Sequence, residues 1–417
     1  MLDIVIKVLK IIVIAATVYT MGYSLYQLYV SLPLFMKYRS KKGSSEPYNK
    51  FAIVISAHDE EMVIENLIRS LKFQKYPDEH YDIFVIADNC SDKTAELARK
   101  EGAIVYERFD PSKKSKGYAL NWFFQRFLVD YKDKYKVCTI FDADNVINEN
   151  FLLEMNKRFN AGERVIVGYR MGKNPVDSIT AGCNSLFWIM QTRASNHPRY
   201  MTGRSLLSVS GTGFSFALDI IEETGWKTES LTEDLEFSMD MNLRGERITY
   251  CREARFYDEQ PITMRSTMKQ RWRWSYGSKE LMQLKAWKLL KSVFSGRFDN
   301  IDSFLFSISY AFLLFSPILW ILSLALETMI TKDFFWLLKT LFISILSGQI
   351  SVSLFIFTLT KLEKQHWKGQ WKAILAYPAY LLVIGLTIYM ALVHRPGWKK
   401  IAHTDKQSIE DLESTLG

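Results

Sequence analysis

Two aspartates separated by one residue, Asp142 and Asp144, follow the apolar run Val137-Cys-Thr-Ile-Phe141. That run is rich in β-branched and aromatic residues and sits between Lys132-Asp133-Lys134 and the two carboxylates, the pattern of a buried strand. Residues i and i+2 of a strand project from one face, so the pair is expected to converge at its carboxyl end. Unpaired buried carboxylates are too costly to be plain core residues. Paired oxygens suit a hard divalent cation, Mg²⁺ or Mn²⁺, which also grips a diphosphate. An isolated Asp-x-Asp is equally well explained by a solvated turn, so the weight rests on what accompanies it.

Four other groups share this chemistry. Lys116 precedes a helix and is suited to a phosphate, although it also belongs to the run Lys113-Lys114-Ser115-Lys116. Ser230-Leu-Thr-Glu-Asp234 has the form of a capping box opening an amphipathic helix (Leu231, Leu235, Met239, Leu243) that stops near Gly245. Asp234 then lies in the first turn, where the helix dipole favours its ionised form and a general base is served. Gln270-Arg-Trp-Arg-Trp274 supplies Arg271 and Arg273, whose fork geometry matches phosphate oxygens, and aromatic rings for a sugar face or a membrane interface. Gly211-Thr-Gly213 interrupts a β-like run, allowing a bulge or close approach of a ligand.

The elements that must position these residues alternate between residues 51 and 145. Strands are expected at 51–57, 81–87, 103–108 and 137–141, with helices at 60–74, 92–100 and 117–131. Such alternation predicts a parallel sheet with right-handed crossovers, whose ligands sit beyond the carboxyl ends of the strands. Asp59-Glu60-Glu61, Asp88 and Asp142/Asp144 all fall there. No GxGxxG or Walker loop is present, so phosphates must be held by a metal and basic side chains. Further strands are expected at 164–170 and 208–218, and a helix at 178–196.

The 417 residues carry a net charge of +8. No nucleic-acid recognition motif accompanies that charge, and the basic residues crowd beside hydrophobic spans, so anionic lipid is the expected partner and nucleic acid is not. Four scattered cysteines without CxxC spacing give neither a zinc site nor a disulfide framework. Residues 11–36 are long and apolar enough for one membrane helix, within an N-terminal segment 1–38. The basic cluster Lys37, Arg39, Lys41 and Lys42 then places the following domain, 39–262, in the cytoplasm under a plasma membrane. An interface segment, 263–300, is expected to lay Leu281, Leu284, Trp287 and Leu290 on the bilayer with Lys279, Lys285, Lys288 and Lys291 snorkelling to headgroups. Hydrophobic stretches at 304–330, 334–360 and 371–393 make a C-terminal membrane region, 301–394. The last stretch is expected to kink at Tyr377-Pro378 and cross only in part, leaving the tail 395–417 cytoplasmic.

Asp88, Asp142-Ala-Asp144, Thr232-Glu-Asp234 and Gln270-Arg-Trp-Arg-Trp274, in that order, resemble the D, DxD, TED and QxxRW signature of processive family-2 glycosyltransferases. These are the membrane synthases of cellulose, chitin, hyaluronan and poly-N-acetylglucosamine. The resemblance covers about residues 51–280. It implies an α/β GT-A fold, a Rossmann-like mixed sheet inserted between transmembrane helices. It also implies inverting transfer from a UDP-sugar to a growing polysaccharide, with Mg²⁺ or Mn²⁺ as cofactor. Carried over by residue, Ala57, Asp59 and Asp88 would hold the uridine. Asp142 and Asp144 would hold nucleotide and metal, with Lys116, Arg271 and Arg273 on the diphosphate. Asp234 would be the base, and Glu233, Gly211, Thr212, Gly213 and Trp274 would face the acceptor. Trp398, His403 and Thr404 loosely resemble a gating segment that closes over bound nucleotide. His58-Asp59 stands where many relatives carry Asn, and only one N-terminal span is present where several have more. The donor favoured is UDP-glucose, giving a β-glucan, with UDP-N-acetylglucosamine or a non-processive lipid-linked transfer as alternatives.

Overall fold

The computed structural model describes residues 2–41, 43–131, 133–228, 230–365, 368–397, 403, 405 and 407–416. A mixed eight-stranded sheet organises the chain, in the order β3-β2-β1-β4-β7-β6-β8-β5. Its first half is the expected alternation: β1 (Phe51–Ala57), α2 (Ile64–Lys72), β2 (Tyr81–Asp88), α3 (Thr94–Lys100), β3 (Ile104–Arg108), α4 (Lys116–Asp130) and β4 (Val137–Asp142). A helix α1 (Leu2–Ser31) precedes them. These four strands pair in parallel, so their carboxyl ends share one edge. The two-residue period of β1 explains its double burial. Phe51, Ile53 and Ile55 pack against α2 and α5 (Phe151–Asn160), whereas Ala52 and Val54 pack under Leu120, Phe123 and Phe127 of α4.

The second half is less regular. β5 (Val146–Ile147), β6 (Val165–Gly172), β7 (Phe214–Ala217) and β8 (Ile248–Asp258) complete the sheet, with β7 antiparallel to both β4 and β6. Only the last part of the expected strand 208–218 joins the ladder. Ser210, Gly211 and Gly213 have φ of 61°, 79° and 65°, a left-handed backbone that cannot continue a strand. The expected helix 178–196 ends as α6 (Ile179–Met190) and passes through a π-helical turn, Gln191–Asn196, into α7 (His197–Met201). After α8 (Asp219–Glu222), α9 (Glu233–Arg244) starts without the capping box. Its N-cap is Thr232, with no side-chain cap bond, and the Ser230 amide donates instead to Glu236 at 2.8 Å. Gly245, at φ 85°, ends it as expected.

α10 (Met264–Phe294) is one 31-residue helix, followed by α11 (Ile301–Thr331), α12 (Phe334–Leu362), α13 (Trp371–Val393) and α14 (Ile409–Leu416). Among the described residues, four helices are long and apolar enough to cross a membrane: Ile11–Phe35, Leu313–Thr331, Phe334–Leu362 and Trp371–Val393. Pro378 does not break α13, which remains continuous. α13 runs along α10 from an Arg271–Tyr380 hydrogen bond through Ser275–Thr387 and Lys279–Ala391 to an Arg395–Glu280 ion pair. α10 is not simply laid on a lipid surface either. Leu281 and Leu289 pack against Met239 of α9, and Lys285 reaches Asp240 at 2.7 Å rather than snorkelling, because α9 offers two carboxylates at that level.

Candidate active site

The groove at the carboxyl edge of β4 is built around Lys116, the first residue of α4. Its Nζ donates to Asp142 Oδ1 and, at 2.8 Å, to the Gly211 carbonyl. Thr212 ties the same loop to the strand end: the Asp142 amide donates to Thr212 Oγ1 at 2.9 Å, and that hydroxyl donates to Asn145 Oδ1. A side chain at Gly213 would strike the Phe256 ring, so glycine is required there by space as well as by φ. Gly211 matters for a different reason, since a Cβ on it would lie 3.3 Å from Asp234 Oδ2. Asp142 and Asp234, 92 positions apart, are thus held on two sides of one three-residue loop.

Asp144 is buried and accepts from Asn145 Nδ2 at 3.2 Å and from the Glu259 amide at 3.2 Å. Around it the charges divide into pairs. Lys116 takes Asp142; Arg170 donates to Asp258 Oδ2; His403 Nδ1 lies 3.2 Å from Glu60. Among the described residues, Asp144 keeps only a 4.0 Å approach to His403 Nε2 as an ion pair. Asp258 Oδ1 is buried without a hydrogen-bond partner among the described residues. Burial opposes charge on His403, but Asp144, Glu60 and Glu259 outweigh it and raise the ring to about 9. A surplus of carboxylate oxygens of this kind fits a divalent cation, with Asp144 and Asp142 as the residues that would hold it. A second group, Asp59, Cys90 and Asp92, has ligand atoms within 4.8 Å of one another. Burial raises the Cys90 thiol to about 11.

The expected uridine residues lie at the neighbouring strand ends. Ala57 closes β1, buried; Asp59 adopts φ 54° and accepts from the Ser91 amide at 2.6 Å. Asp88 is gripped by Arg108 and by Asn89 Nδ2, and burial still pushes its carboxyl up against both.

On the opposite wall, Glu233 and Asp234 open α9. Burial raises the Glu233 carboxyl to about 7, reinforced by Asp234 and opposed by Lys116 and Arg273. Burial also raises Asp234, while the Leu235 amide, Lys116 and Arg273 pull it back. Arg273 is exposed and in electrostatic reach of this pair; Arg271 is not. Arg271 is buried between the Phe187 and Trp274 rings, 3.8 and 4.2 Å from their centroids, and donates to Tyr380 at 3.1 Å. The expected two-arginine clamp is therefore corrected to one arginine. Residues two apart on a helix point about 200° from each other, so Arg271 and Arg273 cannot serve one face. Trp274 packs edge-on to Trp188 of α6, centroids 5.8 Å apart.

Three participants were not singled out in the sequence. Arg170 of β6 stacks on Trp188 at 3.6 Å, donates to the Ser210 carbonyl at 2.9 Å and pairs with Asp258. These residues belong to no short motif, and only the sheet order β4-β7-β6-β8 brings β6 and β8 into the same half of the sheet as β4. His403 does reach the site, with the Asp405 amide donating to Glu259 at 3.0 Å and Leu412 of α14 buried against Val146 and Tyr257. Trp398 and Thr404 lie outside the described residues.

Sequence comparison agrees with this architecture. Residues 137–392 match the model described as "Glycosyl transferase family group 2", and residues 52–218 match "Glycosyl transferase family 2". The chain belongs to this glycosyltransferase family and has the GT-A fold. It is 25% identical to the probable glycosyltransferase YdaM of Bacillus subtilis over 285 residues, 65% of this chain and 64% of that one. It is 26% identical to the poly-β-1,6-N-acetyl-D-glucosamine synthase of Staphylococcus aureus strain COL over 238 residues, 55% of this chain and 54% of the synthase. The chain thus spans less than two thirds of the length of these relatives. In fold it is similar to the mannosyltransferase PcManGT of Pyrobaculum calidifontis, solved with GDP-mannose and Mn²⁺, at a TM-score of 0.55 and 16% identity, covering 91% of this chain and 99% of that one.

Proposed function

We propose that the chain is a membrane-embedded, processive, inverting β-glycosyltransferase that builds a polysaccharide from a UDP-sugar. The observation that carries this reading is the shared loop at Gly211, which sets Asp234 against the same wall that Lys116 and Asp142 hold from the other side. The donor fits UDP-N-acetylglucosamine better than the UDP-glucose favoured from sequence. The glucose preference rested on no named residue, whereas the synthase relatives are named for N-acetylglucosamine.

In this reading Asp234 takes the proton from the acceptor hydroxyl, which attacks the sugar from the face opposite the departing UDP. One displacement inverts the anomeric centre, and no carboxylate nucleophile is needed. Burial raises both carboxyls, and the Asp234 charge adds to the rise of Glu233, so the pair is more basic than free carboxylates. Lys116 and Arg273 counter the charge on the leaving diphosphate, Asp142 orients the nucleotide, and Ala57, Asp59 and Asp88 line the uridine side. A divalent cation held by Asp144 and Asp142 would supply further neutralisation of that charge. Trp274 with Trp188, Glu233 and the Gly211-Thr212-Gly213 loop form the acceptor side. It abuts α13, which gives a growing chain a route along the apolar helices. The catalytic domain, 39–262, and the tail lie on the cytoplasmic face, with His403 of the tail closing over the donor.

Asp234→Asn is expected to cut incorporation of label from UDP-[¹⁴C]N-acetylglucosamine by about 10³-fold while UDP binding survives, the range for loss of a general base. Full activity in that variant would remove the base assignment. A single glycolipid rather than polymer on a gel would remove processivity.

A further inference from the structure

A cavity of about 290 Å³ lies between α9, the α8–α9 connection and α10, on a different face of α9 from Asp234. Its floor is apolar, from Ile221, Phe237, Met241 and Leu284, and its rim carries Lys227, Arg244, Lys285 and Lys288 against Glu236 and Asp240. Both carboxylates are engaged by Lys285, at 3.4 and 2.7 Å. Arg244 donates only to neutral acceptors, the Thr224 hydroxyl at 3.0 Å and the Ile220 carbonyl. Among the described residues, Lys227, Arg244 and Lys288 have no ion pair. Trp226, 2% exposed, also lines the cavity, and among the described residues its indole N–H has no acceptor. The cavity therefore holds a surplus of cations and an unanswered donor above an apolar base.

Its surroundings indicate the kind of molecule. Along α10, Leu284, Trp287 and Phe294 are 41%, 64% and 84% exposed, with Lys288 and Lys291 among them. Exposed apolar side chains interleaved with lysines on one helix suit the headgroup level of a bilayer, and α10 leads directly into the apolar α11.

We propose that this cavity binds a phosphate-bearing anion, presented at the bilayer surface by a phospholipid headgroup. The phosphate meets Lys227, Lys288 and Arg244, and the glycerol and acyl portion follows the apolar stripe of α10. Because the cavity is lined by the helix that begins with Glu233 and Asp234, its occupant adds contacts that hold that helix in place.

The test is native mass spectrometry of the full chain in non-ionic detergent, titrated with phosphatidylglycerol, phosphatidylcholine or inorganic phosphate. This readout does not depend on glycosyl transfer, so its failure is separate from failure of the proposed function. Phosphatidylglycerol is expected to be retained in preference to phosphatidylcholine, and Lys227→Glu with Lys288→Glu is expected to weaken it at least about tenfold. Both lysines are exposed, so folding is not at stake. Lys291→Glu, on the same helix but outside the cavity, should leave retention unchanged. Displacement of the lipid by millimolar phosphate in the parent and not in the double variant would support the phosphate site and assign it to a free anion. Equal retention by the double variant, or an equal loss with Lys291→Glu, would overturn the site.

Discussion

Two clusters of buried charge stand at the same edge of the sheet and are balanced differently. At the β2–β3 end, buried Asp88 is matched by Arg108, which also reaches the more exposed Asp110 at 3.2 Å, so the buried carboxylate has a cation from the chain itself. At the β4–β8 end, Asp142, Asp144, Asp258 and Glu60 share Lys116, Arg170 and His403, and among the described residues Asp144 has no cation of its own. Desolvated charge without a partner is too costly to keep for packing alone. In the first corner the buried aspartate already has its cation, which in the proposed function suits it to a neutral base and ribose. The second is built to be finished by something that arrives with positive charge.

The largest expected effect follows from removing the unmatched carboxylate. Asp144→Ala should lower sugar transfer at least about 100-fold, since charge stabilisation by a catalytic cation is worth several kcal/mol. Calorimetry of UDP binding should lose its dependence on Mn²⁺; a variant that kept the full Mn²⁺ enhancement would place the cation elsewhere. Next comes a paired test of balance. Arg108→Leu and Arg170→Leu each leave a buried aspartate uncompensated and should each cost about 3–5 kcal/mol of stability. Adding Mn²⁺ should restore part of the lost Tm in the Arg170 variant and none in the Arg108 variant. Equal rescue, or none in either, would erase the distinction between the corners.

The two ends also differ in how readable they are. The first half of the sheet could be placed from the sequence because β1 to β4 alternate locally with helices, and two of the strands, β2 and β4, are short apolar runs closed by Asp88 and Asp142. Asp142, Asp144 and Lys116 fell into place with them. The acceptor half depends on β6, β7 and β8, which assemble out of chain order, so Arg170, Asp258 and Trp188 gave no local signal. The Gln270–Trp274 segment misled because two arginines in one motif suggested one role, and only the helical period separates them. Ser230 misled because a capping-box pattern was satisfied by a different bond, from its amide to Glu236.

That separation of arginines gives a smaller, sharper test. Arg271→Lys should cost about 1–2 kcal/mol in stability, through lost stacking on Phe187 and Trp274 and the Tyr380 hydrogen bond, because lysine has no planar fork to replace them. Its kcat should change little once the protein is folded. Arg273→Lys should leave Tm unchanged within about 0.5 kcal/mol, yet lower kcat. The reverse pattern would return Arg271 to the diphosphate.

The smallest effect concerns the Glu233–Asp234 pair and pH. Burial first, and then the Asp234 charge, raise Glu233 from 4.5 to about 7, so between those values the folded chain binds a proton that the unfolded chain has released. Where the native state holds more protons, stability falls as pH rises. The contribution of Glu233 is therefore most favourable below about pH 4.5, declines through the interval, and reaches its full penalty above about pH 7. Glu233→Gln removes the titrating proton and should flatten the decline of Tm between pH 4.5 and 7 relative to the parent. It should also shift the acid limb of the kcat profile downward, because Asp234 no longer shares a buried charge. An unchanged slope together with an unchanged limb would mean that another group governs both, and that Asp234 works without help from its neighbour.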